Sequence, residues 1–192
     1  MQHLVFLLLL LLWMPAMHAH ESFRRDPVQA NANRVVRNGE PLFEVTAIGF
    51  VHAPPEQAWK VLTDYARLPE FVPDLVSVRV LSRDGNVVRI EQKSSAGFLF
   101  MSQTIRLVLQ IEESPPATID VALVEGDMRR YDTHWDLEPV GHDGATGTRV
   151  TFSGVMEPKF FVPPLFGRAV MEANLKRTVE AVVAEIERRG VH

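Results

Sequence analysis

The chain has 192 residues, 46% of them hydrophobic, a net charge of −4 at pH 7 and no cysteine. The missing thiols exclude disulfides, thiol catalysis, a thiolate metal site and a cysteine-linked lipid anchor. A mildly acidic chain with no basic stripe among its aromatics also has little to offer a phosphate backbone, so no nucleic-acid partner is expected.

Leu4 to Met14 form an almost unbroken apolar run, followed by Pro15 and the small residues Ala16 and Ala19. This pattern predicts a signal peptide over residues 1–19, too short to span a bilayer comfortably as a helix. It departs from the usual pattern in having no Lys or Arg before the apolar run, and in placing Met17 where a small residue is preferred. The expected localisation is periplasmic or secreted, with a retained N-terminal anchor as the alternative. Residues 1–19 carry no Asp, Glu, Lys or Arg, so the net charge belongs to the remainder. That remainder is long enough for one domain with a sizeable core and too short for two.

Residues 20–38 are mostly polar, with Pro27, Gln29, Asn31 and Asn33 and no sustained periodicity, which predicts a flexible N-terminal arm. The folded domain is expected over residues 39–192. Leu42 to Val51 reads as its first strand. Ala53-Pro54-Pro55 stops that strand, because proline has no N–H for the ladder, and opens a short helix whose apolar side is Ala58, Trp59, Val61 and Leu62. Tyr65, Leu68, Phe71 and Val72 continue it through a bent second turn.

Period-two alternation then recurs to residue 156, for about seven strands in all. Val76, Val78 and Val80 alternate with polar neighbours, and Asp84-Gly85 turns the chain into Val87 to Ser94. The longest strand carries Met101, Gln103, Ile105, Leu107, Leu109 and Ile111 on one face. Ile119, Val121 and Leu123 follow, then Tyr131, Thr133, Trp135 and Leu137, then Val150, Phe152, Gly154 and Met156. One-sided alternation indicates an antiparallel sheet with one wet face. The only long helical segment that remains to cover the dry face runs from about Pro163 to Gly190, with Leu175, Val179, Val182, Val183 and Ile186 as its inner stripe. The small inward residues Ala47, Gly49 and Gly154 either leave space between sheet and helix or mark bends in the strands.

The stretch from Ala53 through Trp59 and Tyr65 to Leu68-Pro-Glu-Phe-Val-Pro-Asp74, placed between a strand and a long antiparallel run closed by a C-terminal helix, resembles the START-like or SRPBCC superfamily. The similarity is greatest to its polyketide cyclase/dehydrase and coenzyme-Q-binding branch, and covers roughly Leu42 to Arg189. The resemblance implies an α+β helix-grip fold, a curved sheet wrapped around the terminal helix, and an apolar cavity. It further implies binding of a lipid, isoprenoid quinone or other hydrophobic small molecule, as a carrier or sequestering protein of the cell envelope. Its alternatives are a cyclase-like enzyme acting on a polyketide-type substrate and a structural or partner-binding module.

The residues themselves offer little catalytic chemistry. His134 lies between Asp132 and Asp136, but on the strand face opposite Tyr131 and Trp135, which reads as a solvated outer surface. Glu112-Glu113 reads as the solvated end of the longest strand. The histidines lack zinc-motif spacing, and neither a nucleophile elbow nor a phosphate-cradling glycine loop is present, so no metal, cofactor or catalytic residue is expected. The candidate ligand-binding residues are Gln103, Arg129, Tyr131, Trp135 and Phe152 on inward strand positions, with Arg168 and Glu172 at the start of the terminal helix. Phe98, Leu99, Phe100, Phe160, Phe161 and Phe166 are expected to border the cavity mouth, where transient membrane contact would take place.

Overall fold

The computed structural model describes residues 27–37, 39–98, 101–142, 145–160, 162 and 166–190. The expected signal peptide therefore lies outside the described residues, as do Leu99, Phe100 and Phe161. The elements in chain order are β1 (Gln29–Arg37), β2 (Glu40–Val51), α1 (Pro55–Leu62), a 3-10 helix (Tyr65–Glu70), β3 (Leu75–Asp84), β4 (Val87–Phe98), β5 (Met101–Ser114), β6 (Thr118–Gly126), β7 (Met128–His142), β8 (Ala145–Pro158) and α2 (Gly167–Gly190). The strands form one antiparallel sheet in the order β1-β2-β8-β7-β6-β5-β4-β3. The sheet curves around α2, which gives the α+β helix-grip architecture.

The sheet has eight strands, because residues 29–37, expected as part of a flexible arm, form the edge strand β1. Its asparagines, glutamine and arginines have weak strand propensity. A continuous antiparallel register with β2, from Gln29 opposite Ile48 to Arg37 opposite Glu40, overrides that preference. Val28 and Ala32 are buried and pin it to the core.

Pro54 precedes α1 in an extended conformation and Pro55 occupies its first turn, where the missing N–H has no helical partner to lose. Ala58, Val61 and Leu62 are buried. The Gln57 side chain donates to the Ile186 carbonyl at 2.7 Å and so fastens α1 to the far end of α2.

Helix α2 lies chiefly against β1, β2 and α1. Leu175, Val179, Val182, Val183 and Ile186 are buried, each gaining roughly 1.5–3 kcal/mol over an exposed side chain. Gly49 makes the close approach possible: a Cβ there would stand 2.8 Å from Val183 Cγ2. Gly154 has φ of +157°, and a Cβ on it would collide with the Asp132 carbonyl and Thr133 on β7. Neither glycine leaves open space, so the room inside the fold has a different origin. Because α2 rests on β1 and β2, the inner faces of β4, β5 and β6 curve away from it and are left without a helix packed directly on them, and β7 meets only α1.

Candidate functional site

Between α2 and those uncovered strands lies a cavity of about 1010 Å³. Its apolar wall includes Ile90 on β4, Ile105, Leu107, Leu109 and Ile111 on β5, Ile119 and Val121 on β6, and Phe152 and Met156 on β8. Leu62, Leu68 and Val72 close one side, and Val170, Met171, Leu175 and Val182 of α2 form another. Trp135 on β7 stands opposite Phe152 in the strand register, with ring centroids 4.8 Å apart at a tilted angle. Such a pair fixes the wall through its geometry as well as its buried area.

Gln103, Tyr131, Trp135 and Phe152, expected inward from alternation, all line this cavity. Gln103 is exposed and so belongs to its mouth. Arg129, Arg168 and Glu172 do not lie on the cavity wall, and their expected inward placement is corrected. A register shift between Met128 and Arg130 inserts an extra residue, so Met128 and Tyr131 both face inward while Arg129 turns out to Glu40 at 2.9 Å and Glu157 at 3.8 Å. Arg168 and Glu172, 3.8 Å apart, continue the stripe of Leu175, Val179 and Ile186. Within that stripe Val179 lies against Gly49 of β2, and the α2 side chains that face the cavity are Val170, Met171, Asn174, Leu175, Arg177, Thr178 and Val182. Both side chains are solvent-accessible, and the pair is a surface ion pair of small energetic weight.

Phe160 and Val170 line the cavity, Val170 being 40% exposed; Phe166, 53% exposed, is not a lining residue but precedes the lining Gly167 in the chain. Phe98 closes β4 opposite Met101.

Gln92, Ser94, Ser95, Gln103 and Thr178 add polar atoms to the lining, and three further polar arrangements stand out. On the rim, Asp74 accepts from Arg177 Nη2 at 2.7 Å and from Asn174 Nδ2 at 3.1 Å, joining the segment before β3 to α2. Asp74 adopts φ of 63°, a left-handed conformation that Asp tolerates better than most residues. In the middle, Tyr131 and Thr133 share the inward face of β7. Burial raises the Tyr131 pKa, and the adjacent Thr133 hydroxyl offsets part of that rise.

The third place is one that sequence reasoning misses. Glu113, expected to be solvated, is 7% exposed and sits behind the cavity wall. It accepts from the Tyr65 hydroxyl at 2.7 Å and from Arg83 Nη1 and Nη2 at 2.8 and 3.0 Å. Burial pushes its pKa up, but the hydrogen bonds from Arg83 and Tyr65 outweigh that and leave it below the ordinary carboxylate range. Tyr65 lines the cavity, and its pKa is driven far up by burial and by the hydrogen bond to Glu113. The parity of β5, inward at 103, 105, 107, 109 and 111, is the signal that could have found Glu113.

His134 Nδ1 stands 2.7 Å from Asp120 Oδ1 on β6, on the outer side of the sheet, while Asp132 pairs instead with Arg130. Among the described residues no cluster of His, Cys, Asp and Glu is arranged to hold a metal, and no helix is long and apolar enough to cross a membrane.

A family profile described as polyketide cyclase / dehydrase and lipid transport matches residues 51–183. Several solved structures share the fold. A protein of Thermus thermophilus is 22% identical with a TM-score of 0.62, over 78% of this chain and 99% of that one. The Zhui aromatase/cyclase of a Streptomyces species is 18% identical with a TM-score of 0.62, over 78% and 96%. A STAR-related lipid transfer protein fragment of Xanthomonas axonopodis is 17% identical with a TM-score of 0.61, over 84% and 94%. A search of curated proteins found no match. Identities this low speak for the fold and not for a shared ligand. The matched profile spans α1, the cavity-forming strands and most of α2, and on that basis the chain belongs to the polyketide cyclase/dehydrase and lipid transport family.

Proposed function

We infer that the protein binds a lipid, isoprenoid quinone or other hydrophobic small molecule in the cavity and acts as a carrier or sequestering protein of the cell envelope. One observation carries this reading: a cavity of about 1010 Å³ whose wall is mostly aliphatic and aromatic, and whose only charged lining residues among those described, Asp74 and Arg177, are paired with each other. Apolar fit dominates the energetics there. Burying a dozen methylenes at roughly 0.8 kcal/mol each yields on the order of 10 kcal/mol before ordering costs, against about 1 kcal/mol for one neutral hydrogen bond.

A cyclase-like enzyme is the second reading, favoured by the Tyr65 hydroxyl on the cavity wall. Its proton is already donated to Glu113, and burial makes it a weaker acid than ordinary tyrosine. A general acid works best with a pKa near the operating pH. Tyr65 is on those grounds a poor proton donor, which supports binding over catalysis.

The envelope location rests on the apolar segment Leu4 to Met14, and the membrane contact on the lining residues Phe160 and Val170 with the exposed Phe166 next to them in the chain. A bilayer-touching mouth spares a poorly soluble tail the crossing of water. Native mass spectrometry of the protein purified from its own envelope, followed by extraction, tests the reading. The expected result is a bound lipid or quinone released by organic solvent. A mass equal to the bare chain, with no uptake from a mixed-lipid pool, overturns it.

A further inference from the structure

The sheet is open, and its two edges differ. Strand β3 is interrupted by register shifts between Leu75 and Ser77 and between Val80 and Ser82, irregularities of the kind that bend an edge strand and spoil it as a template. Strand β1 runs in unbroken register with β2 over its 9 residues and contains no lysine or proline. About half of its backbone N–H and C=O groups point away from β2. Gln29, Asn31, Asn33 and Val36 are exposed along it, Val36 to 67%. Such an edge is ready to accept a further strand.

Arg34 restricts what that strand can be. It lies two residues from the buried Ala32, on the covered face of β1, yet its Nε is buried with no hydrogen-bond partner and it forms no ion pair among the described residues. The neighbouring carboxylates are committed or misplaced. Glu40 is held by Arg129 at 2.9 Å, Glu172 stands 3.8 Å from Arg168, and Glu44 belongs to the opposite face, across from Asn33. A half-buried cation without a counter-charge is costly, and an added strand can supply one. Its residue directly opposite Arg34 would have a Cβ about 4.5–5.5 Å away, within reach for a carboxylate to pair with the guanidinium. Strand β1 has two arginines and no acid, so pairing with β1 of a second copy brings cations and no carboxylate.

We propose that β1 docks an extended, acidic segment of another protein as a ninth strand, with a carboxylate opposite Arg34 and an apolar side chain two positions along, opposite Val36. Backbone hydrogen bonds supply the affinity, and Arg34 selects the sign of the charge. The edge is separate from the cavity, which β1 does not line.

The test is fluorescence anisotropy of dye-labelled Thr-Val-Thr-Glu-Thr-Val-Thr, and of the same peptide with lysine in place of glutamate, titrated with the full chain. The glutamate peptide should bind saturably and about fivefold tighter than the lysine peptide. Arg34→Glu should reverse that order, and Arg34→Met, which keeps the apolar stem, should abolish it. Thr-Val-Pro-Glu-Pro-Val-Thr, which lacks two N–H groups, should not bind. Amide hydrogen exchange should slow in β1, and not in β3, when the glutamate peptide is bound. Saturable binding of neither charged peptide, equal binding of both, or protection that falls on β3 overturns the proposal, and these outcomes need only the native protein. A dimer in sedimentation that Asn33→Pro converts to monomer would make the occupant a second copy and also overturn it.

Discussion

Arg177 Nη2 stands 2.7 Å from Asp74 Oδ2, and this contact ties α2 to the segment entering β3 across the rim of the cavity. The two side chains are 56% and 38% exposed, so water screens the pair and it adds little to global stability. Its position gives it leverage over opening instead. Arg177→Met and Asp74→Asn should speed dissociation of a bound apolar probe by about two- to fivefold, the kinetic equivalent of about 0.5–1 kcal/mol. Asn retains the left-handed backbone at position 74. Stopped-flow release of N-phenyl-1-naphthylamine checks this; unchanged release rates, or a large fall in Tm, would show the pair to be structural.

Glu113 behaves oppositely, because it is buried and Arg83 is its cationic partner. Arg83→Met should destabilise the fold at pH 7 by about 2 kcal/mol, on the low side for a buried pair because Arg83 is itself nearly half exposed. The sign with pH follows from the shift. In the native protein the folded carboxylate is held down, so its contribution is present at neutral pH and is lost as pH falls through the folded value. Without Arg83, burial dominates and protonation relieves the variant. The stability gap between native and Arg83→Met should therefore narrow on acidification, as denaturant titrations at pH 7 and pH 4 would reveal. A gap that widens contradicts the assignment.

Near the end of α2, Glu185 accepts from Arg188 at 2.7 Å and from Arg189 at 2.7 Å, and Arg189 reaches Asp64 at 3.0 Å. Hydrogen bonding from Arg188, and then from Arg189, takes its pKa down to about 2 despite its burial. Its folded value lies below the unfolded one, so its stabilisation is complete above pH 4.5 and disappears as pH drops toward 2. Glu185→Gln should cost about 1 kcal/mol or more at pH 7 and flatten the Tm profile across that acid window. A profile parallel to that of the native protein would place the acid sensitivity elsewhere.

At the mouth, Phe160→Ser, Phe166→Ser and Val170→Ser combined should slow transfer of an apolar probe between liposomes and protein. Apolar contact with the interface responds weakly to salt, whereas attraction to anionic lipid is screened over about 8–10 Å at physiological salt. The acidic net charge favours the first. Transfer that is unchanged in a folded triple variant, or that collapses in salt, would contradict a hydrophobic mouth.

The period-two runs from Val76 to Met156 and the stripe Leu175, Val179, Val182, Val183 and Ile186 make the sheet and its covering helix legible, because both periodicities are local. What escapes the sequence is non-local. Strand β1 carries Asn31, Asn33 and Arg34 and is held by β2, which no window over residues 27–38 reveals. Glu113 reads as solvated beside Glu112, since its partners Tyr65 and Arg83 stand 48 and 30 residues away in the chain. Parity turns Arg129 inward, and one extra residue between Met128 and Tyr131 reverses it. Arg168 and Glu172 do continue the inner stripe of α2, but only its Leu175 and Val182 line the cavity, and neither Arg168 nor Glu172 does.

The central claim, that this cavity takes up an apolar molecule, is tested most directly by the emission of Trp135, which lines it beside Phe152. In Trp13→Phe/Trp59→Phe the only remaining indole is Trp135, and titration with 2-decanone should shift and saturate its emission. In Trp13→Phe/Trp135→Phe the remaining Trp59, on α1 and packed against the core, should respond far less. Emission of Trp135 that stays constant up to the solubility limit of the ligand, or that changes no more than that of Trp59, would contradict the account.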